Sequence, residues 1–95
     1  MDYIFEITDK SSRKIHLTKE RWNEHIRPLH PDIKESEELI KVLENPDKML
    51  ESDRDESVRW YFIYNKNKKK YLKVSVKYLN GNGYVITAHY TRKIC

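Results

Sequence analysis

The chain has little of what several common kinds of protein are built from. Its single cysteine, Cys95, cannot form a disulfide framework or a thiolate metal site within the chain. Its two glycines, Gly81 and Gly83, fall in one turn. There is accordingly no glycine-rich phosphate loop and no nucleophile elbow, and no carboxylate pair has a defensible catalytic spacing. No apolar run approaches the roughly 18 residues that a membrane-spanning helix needs. Met1–Thr8 carries Asp2 and Glu6 and lacks an apolar segment, so no signal peptide is expected and a reducing cytoplasm is the expected location. Hydrophobic residues reach only 38% of the 95 positions, below the usual share.

Rings and charges are what the chain does have. Seven tyrosines, two tryptophans and two phenylalanines bury large areas and offset the scarcity of aliphatics, so a folded single domain over residues 1–95 is expected. Nineteen basic residues against fifteen acidic ones leave a net charge of +4, which favours a polyanionic partner.

Tyr3–Thr8 and Lys14–Leu17 read as β-prone segments around a turn at Asp9–Arg13, a candidate hairpin. Thr18 is a good N-cap for a helix over Lys19–Arg27, ended by Pro28, with Trp22 and Ile26 on one face. Ser36 caps a second predicted helix to about Glu44, with the stripe Leu39, Ile40, Leu43. Lys48–Leu50 is a short extended piece, and Glu51–Ser57 a charged surface loop. The remainder is β: Val58–Tyr64, Tyr71–Leu79 and Tyr84–Thr91. A three-residue turn at Gly81–Gly83, with Gly83 in a left-handed bulge position, would pair Val76 with Ala88 and Tyr78 with Ile86. That register segregates apolar residues to one face. The other face would carry Lys73, Ser75, Lys77, Thr87 and His89.

Chemistry can come from three groups. His16, His25 and His30 lie in the N-terminal third and His89 on the last strand, and histidine is the side chain suited to acid–base work near neutrality. His25 and His30 flank Arg27. A zinc site from His25, His30 and His89 matches no metal-binding spacing, so no metal is expected. The cationic strand face, with Lys73 and Lys77, could stabilise a phosphorane-like transition state without any cofactor. A solvated outer face is the alternative. Trp60, Phe62 and Tyr64 alternate together and read most simply as core, with base stacking as the other option.

The stretch Ile15-His16-Leu17-Thr18-Lys19-Glu20-Arg21-Trp22-Asn23-Glu24-His25-Ile26 resembles the opening of small phage- and mobile-element-associated domains of the barnase–EndoU–colicin–RelE nuclease group. His30-Pro31-Asp32 is similar to that group's bend after the helix. Asn45-Pro46-Asp47 is similar to its helix-ending step, and Val85-Ile86-Thr87-Ala88-His89-Tyr90 to its terminal strand. The resemblance spans about residues 15–92. It implies an α+β fold of two N-terminal helices packed on a twisted antiparallel sheet of about four strands, with the N-terminal hairpin as an addition. It further implies metal-independent RNA cleavage or a toxin-like role, which would bring an antitoxin as a second partner. His25, His30, Thr87 and Tyr90 are the site residues it carries over. The expected assignment is therefore a ribonuclease with His25, His30, His89, Thr87 and Tyr90 in catalysis and Lys73, Lys77, Arg92 and Arg27 on the nucleic acid. A non-catalytic RNA- or DNA-binding module, or a protein-interaction domain using the same basic face, is the alternative.

Overall fold

A computed structural model describes residues 3–9 and 12–94. Lys10 and Ser11 of the first turn, together with Met1, Asp2 and Cys95, lie outside the described residues. The strands are β1 (Tyr3–Thr8), β2 (Lys14–Thr18), β3 (Lys48–Glu51), β4 (Val58–Asn65), β5 (Lys70–Leu79) and β6 (Asn82–Thr91). They form one six-stranded sheet in the order β1-β2-β6-β5-β4-β3. All neighbours are antiparallel except β2 and β6, which are parallel. The expected four-stranded antiparallel sheet under two helices is thus corrected to a mixed six-stranded sheet with two short helices. The N-terminal hairpin is built into the sheet, and Lys48–Glu51 adds a further edge. The parallel contact rests on two register pairs, Ile15–Gly83 and His16–Tyr84, between segments far apart in sequence. No local pattern announces such a contact.

Helix α1 spans residues 19–29. Its N-cap Thr18 accepts from the Arg21 N–H at 3.1 Å. Over Trp22–Ile26 the backbone widens to i→i+5 bonding, with the Arg27 N–H reaching the Trp22 carbonyl. The widening explains why Pro28 does not end the helix as expected. Proline removes one N–H and crowds the carbonyl four residues back, and a widened turn just before it absorbs both. The helix runs on to Leu29. It packs against β6, burying Trp22 and Ile26.

Helix α2 (Glu37–Glu44) packs on β4 and β5 and buries Leu39, Val42 and Leu43. Ser36 makes no side-chain cap. Glu38 instead ties the segment before the helix to its first turn. Its Oε2 accepts from the Lys34 and Glu35 N–H groups at 3.0 and 3.1 Å, and its Oε1 accepts from the Tyr90 hydroxyl at 2.9 Å. The core joins these helix residues to Ile15, Leu17, Tyr61, Leu72, Val74, Val76, Val85 and Ala88.

The β5–β6 hairpin turns on two residues, Asn80 (φ 53°) and Gly81 (φ 83°), both left-handed. This is the geometry that Asn-Gly favours because it matches the twist of the flanking strands. The expected three-residue turn is therefore corrected. Segregation of apolar residues is achieved by a bulge farther along. Val76 pairs with Val85 but Ser75 with Thr87, so Ile86 is the extra residue. The bulge reverses the parity of β6, and Gly83, Val85, Ala88 and Tyr90 all face the core.

Gly83 is needed for close approach rather than for a left-handed turn. A Cβ there would lie 2.9 Å from Tyr78 Cε1, 3.0 Å from Val76 Cγ1 and 3.2 Å from Ile15 Cγ1. Gly83→Ala is expected to cost about 1–3 kcal/mol by overpacking. A denaturant midpoint equal to that of the parent would show that Ile15 and Tyr78 do not close on this position.

Candidate nucleic-acid interface

Register places the chemistry-bearing side chains on the sheet face away from α2. Directly paired residues share a face, so the strands read across as rows. One row is Lys48, Phe62, Lys73 and His89. The next on one side is Leu50, Trp60, Ser75 and Thr87, and on the other Tyr64, Tyr71 and Thr91. The face expected to carry Lys73, Ser75, Lys77, Thr87 and His89 does carry them. It also carries Trp60, Phe62 and Tyr64, of which only Phe62 is fully buried.

These rings floor the face. Phe62 is fully buried, with Tyr71 edge-on to it at 6.4 Å between ring centroids. The Lys73 ammonium lies 4.0 Å above the Trp60 ring and 5.9 Å from that of Phe62. A cation over an indole face is held by the ring quadrupole, so the Lys73 charge is fixed in its row.

His30, at the end of α1, meets His89 with ring centroids 5.6 Å apart and planes inclined by 32°. Burial, the Lys73 charge and His30 together hold the His89 imidazole below its ordinary pKa, and Asp32 opposes them weakly. His89 is thus disposed to be neutral at pH 7 and able to accept a proton. The arrangement is a pair of imidazoles beside a fixed ammonium, with the Thr87 hydroxyl one row away.

The other candidates are distributed differently. His25 is half-buried and lines a cavity of about 350 Å³ with Thr18, Glu20, Arg21 and Glu24. The helix histidine that reaches His89 is His30. Tyr90 points to the opposite face and bonds to Glu38 there. Lys77 Nζ lies 3.3 Å from Asp55 Oδ2. Asp55 also accepts from the Ser57 N–H and hydroxyl at 2.9 and 2.6 Å. Its carboxyl is held below the usual range by these Ser57 bonds first and by Lys77 second. Arg92 is exposed just past β6, and Arg27 is exposed beside Pro31, Ile33 and Lys34.

His16 is accounted for by structure. It is buried between the rings of Tyr3 (4.6 Å) and Tyr84 (5.2 Å), with Nε2 2.9 Å from Glu6 Oε2 and Nδ1 3.3 Å from the Gly83 carbonyl. Among the described residues, no group of three or more His, Cys, Asp or Glu side chains is placed to hold a metal ion. No helix among them is long and apolar enough to cross a membrane. A cavity of about 310 Å³ lined by Asp9, Leu43, Pro46, Asp47, Lys48, Met49, Arg59 and Tyr61 contains no histidine.

What the sequence reading missed is the aromatic floor. A signal for it was available. The four-residue turn Lys66–Lys69 fixes the β4–β5 register and sets Phe62 opposite Lys73 and Tyr64 opposite Tyr71. Once Lys73 is assigned to the polar face, the rings must follow. Comparison with known proteins finds no matching family model, no matching curated protein and no matching solved structure.

Proposed function

We propose that the protein is a metal-independent ribonuclease whose acid–base pair is His89 and His30. The observation that carries this reading is the meeting of the two imidazoles beside Lys73 on a ring-floored cationic face. His89, disfavoured as a cation, takes the proton from a ribose 2′-OH. The 2′ oxygen attacks phosphorus, and the phosphorus–O5′ bond breaks. His30 gives a proton to the departing 5′ oxygen, leaving a 2′,3′-cyclic phosphate and a free 5′-OH. Lys73 offsets the charge that builds on the non-bridging oxygens, and Thr87 donates a hydrogen bond there. No step requires a cofactor. The resemblance to the barnase–EndoU–colicin–RelE group, which carries over both His25 and His30, supports the same chemistry. We assign the helix-borne role to His30 because it is the one that meets His89. A toxin-like setting with an antitoxin partner belongs to the same proposal.

The test is incubation of the protein with single-stranded RNA in EDTA, with analysis of the product ends. Cyclic-phosphate ends that disappear in His30→Ala and His89→Ala are the expected result. Intact RNA under all conditions would refute the assignment. Binding that weakens steeply with salt, without cleavage, would point to the RNA-binding alternative, which the aromatic floor and its lysines also favour.

A further inference from the structure

We infer that Tyr64 and Tyr71 form a stacking platform for one unpaired base beside the phosphate held at Lys73, so that the substrate class is single-stranded RNA. This rests on the reading of the Lys73–His89 face as an RNA site. Tyr64 is one of the few large apolar side chains left open, at 43% exposure. It is not loosely placed. Its own N–H donates to Asp47 Oδ2 at 2.8 Å, which ties the open end of β4 to the residue just before β3. Its ring leans edge-on against Tyr71, with centroids 5.1 Å apart and planes at 66°. Tyr71 in turn rests on the buried Phe62. The two rings are therefore braced from below and from the side, as a stacking surface must be.

Position gives the platform its partner. The Tyr64–Tyr71 row is adjacent to the row of Lys73 and His89, two residues along each strand, which is about 7 Å. That is the reach of a single nucleotide from its phosphate. The same end of the sheet carries Lys66, Lys69 and Arg92, all exposed, and the charge there suits a polyanion rather than an apolar protein surface. A base can lie on a tyrosine only if it has left its own stack. In a duplex the base faces are covered, and the ring has nothing to meet.

The test uses a fluorescent 2′-O-methyl RNA strand, which lacks the 2′-OH nucleophile and reports binding alone. It is titrated as a single strand and annealed to its complement, with the parent protein, Tyr64→Ala, Tyr64→Leu and Tyr64→Phe. The parent should bind the single strand more tightly than the duplex. Tyr64→Ala and Tyr64→Leu should each weaken single-strand binding by about tenfold, while Tyr64→Phe, which keeps the ring face, should bind like the parent. Equal binding of single strand and duplex, or undiminished binding by both ring-less variants, would overturn the inference. The outcome is separable from that of the ribonuclease assay. The expected binding pattern without cleavage of unmodified RNA sustains the platform and removes the enzyme. Cleavage with no effect of Tyr64→Ala or Tyr64→Leu on binding does the reverse.

Discussion

His89→Ala is expected to lower RNA cleavage by about 10²–10⁴-fold, the span over which a positioned acid or base ordinarily acts. His30→Ala should fall in the same range, because it removes the proton donor to the 5′ oxygen as His89→Ala removes the acceptor from the 2′-OH. The effect should appear in kcat, with binding of the 2′-O-methyl strand nearly unchanged. A pH profile separates this role from a structural one. Burial, Lys73 and His30 hold His89 below the ordinary histidine value of about 6.5, so the acid limb of kcat/KM should break below pH 6.5. Lys73→Gln removes one of these causes and should move the break upward. The same depression has a consequence for stability. The unfolded chain takes up a proton near pH 6.5 that the folded chain declines, so this contribution is full above pH 6.5 and is lost as the pH falls to the depressed folded value. Cleavage by His89→Ala at the parent rate, or an acid limb that ignores Lys73→Gln, would remove His89 from the mechanism.

The parts of this site that could be read in the sequence are those set by local periodicity. Alternation over Tyr71–Leu79 is strict, so Leu72, Val74, Val76 and Tyr78 separate from Lys73, Ser75 and Lys77 without knowledge of any partner strand, and the structure buries the first group in the core. The spacing of Trp22 and Ile26 likewise identifies the buried face of α1. Reading failed where two segments had to find each other. The parallel β2–β6 contact, the bulge at Ile86 and the meeting of His30 with His89 each depend on register between distant elements. Asn80-Gly81 alone determines the hairpin turn. The apolar pattern alone points to a three-residue loop, because a bulge, which shifts the pattern by one, is invisible to a count of alternating residues. The widened turn before Pro28 carries α1 to Leu29 and brings His30, rather than His25, to His89.

The ring floor leads to the second large effect. Phe62→Ala is expected to destabilise the protein by about 3–5 kcal/mol, as for a phenylalanine in a closed core, although Phe62 faces away from α2. Its side chain is completely inaccessible, covered by Tyr71 at its edge and with the Lys73 ammonium nearby. A chain of 95 residues with 38% hydrophobic positions has few such side chains to lose. For a domain of this size the loss corresponds to a fall of about 12 °C or more in Tm. Phe62→Leu keeps most of the apolar volume and should recover most of the difference. If Phe62 were only an outer-face ring resting on solvent, alanine would cost little and the Tm would barely move. Tm and RNA binding should fall together in Phe62→Ala, whereas Tyr64→Ala should lower binding alone. A step of two residues along β4, from Phe62 to Tyr64, thus divides the face into a part that holds the fold and a part left exposed.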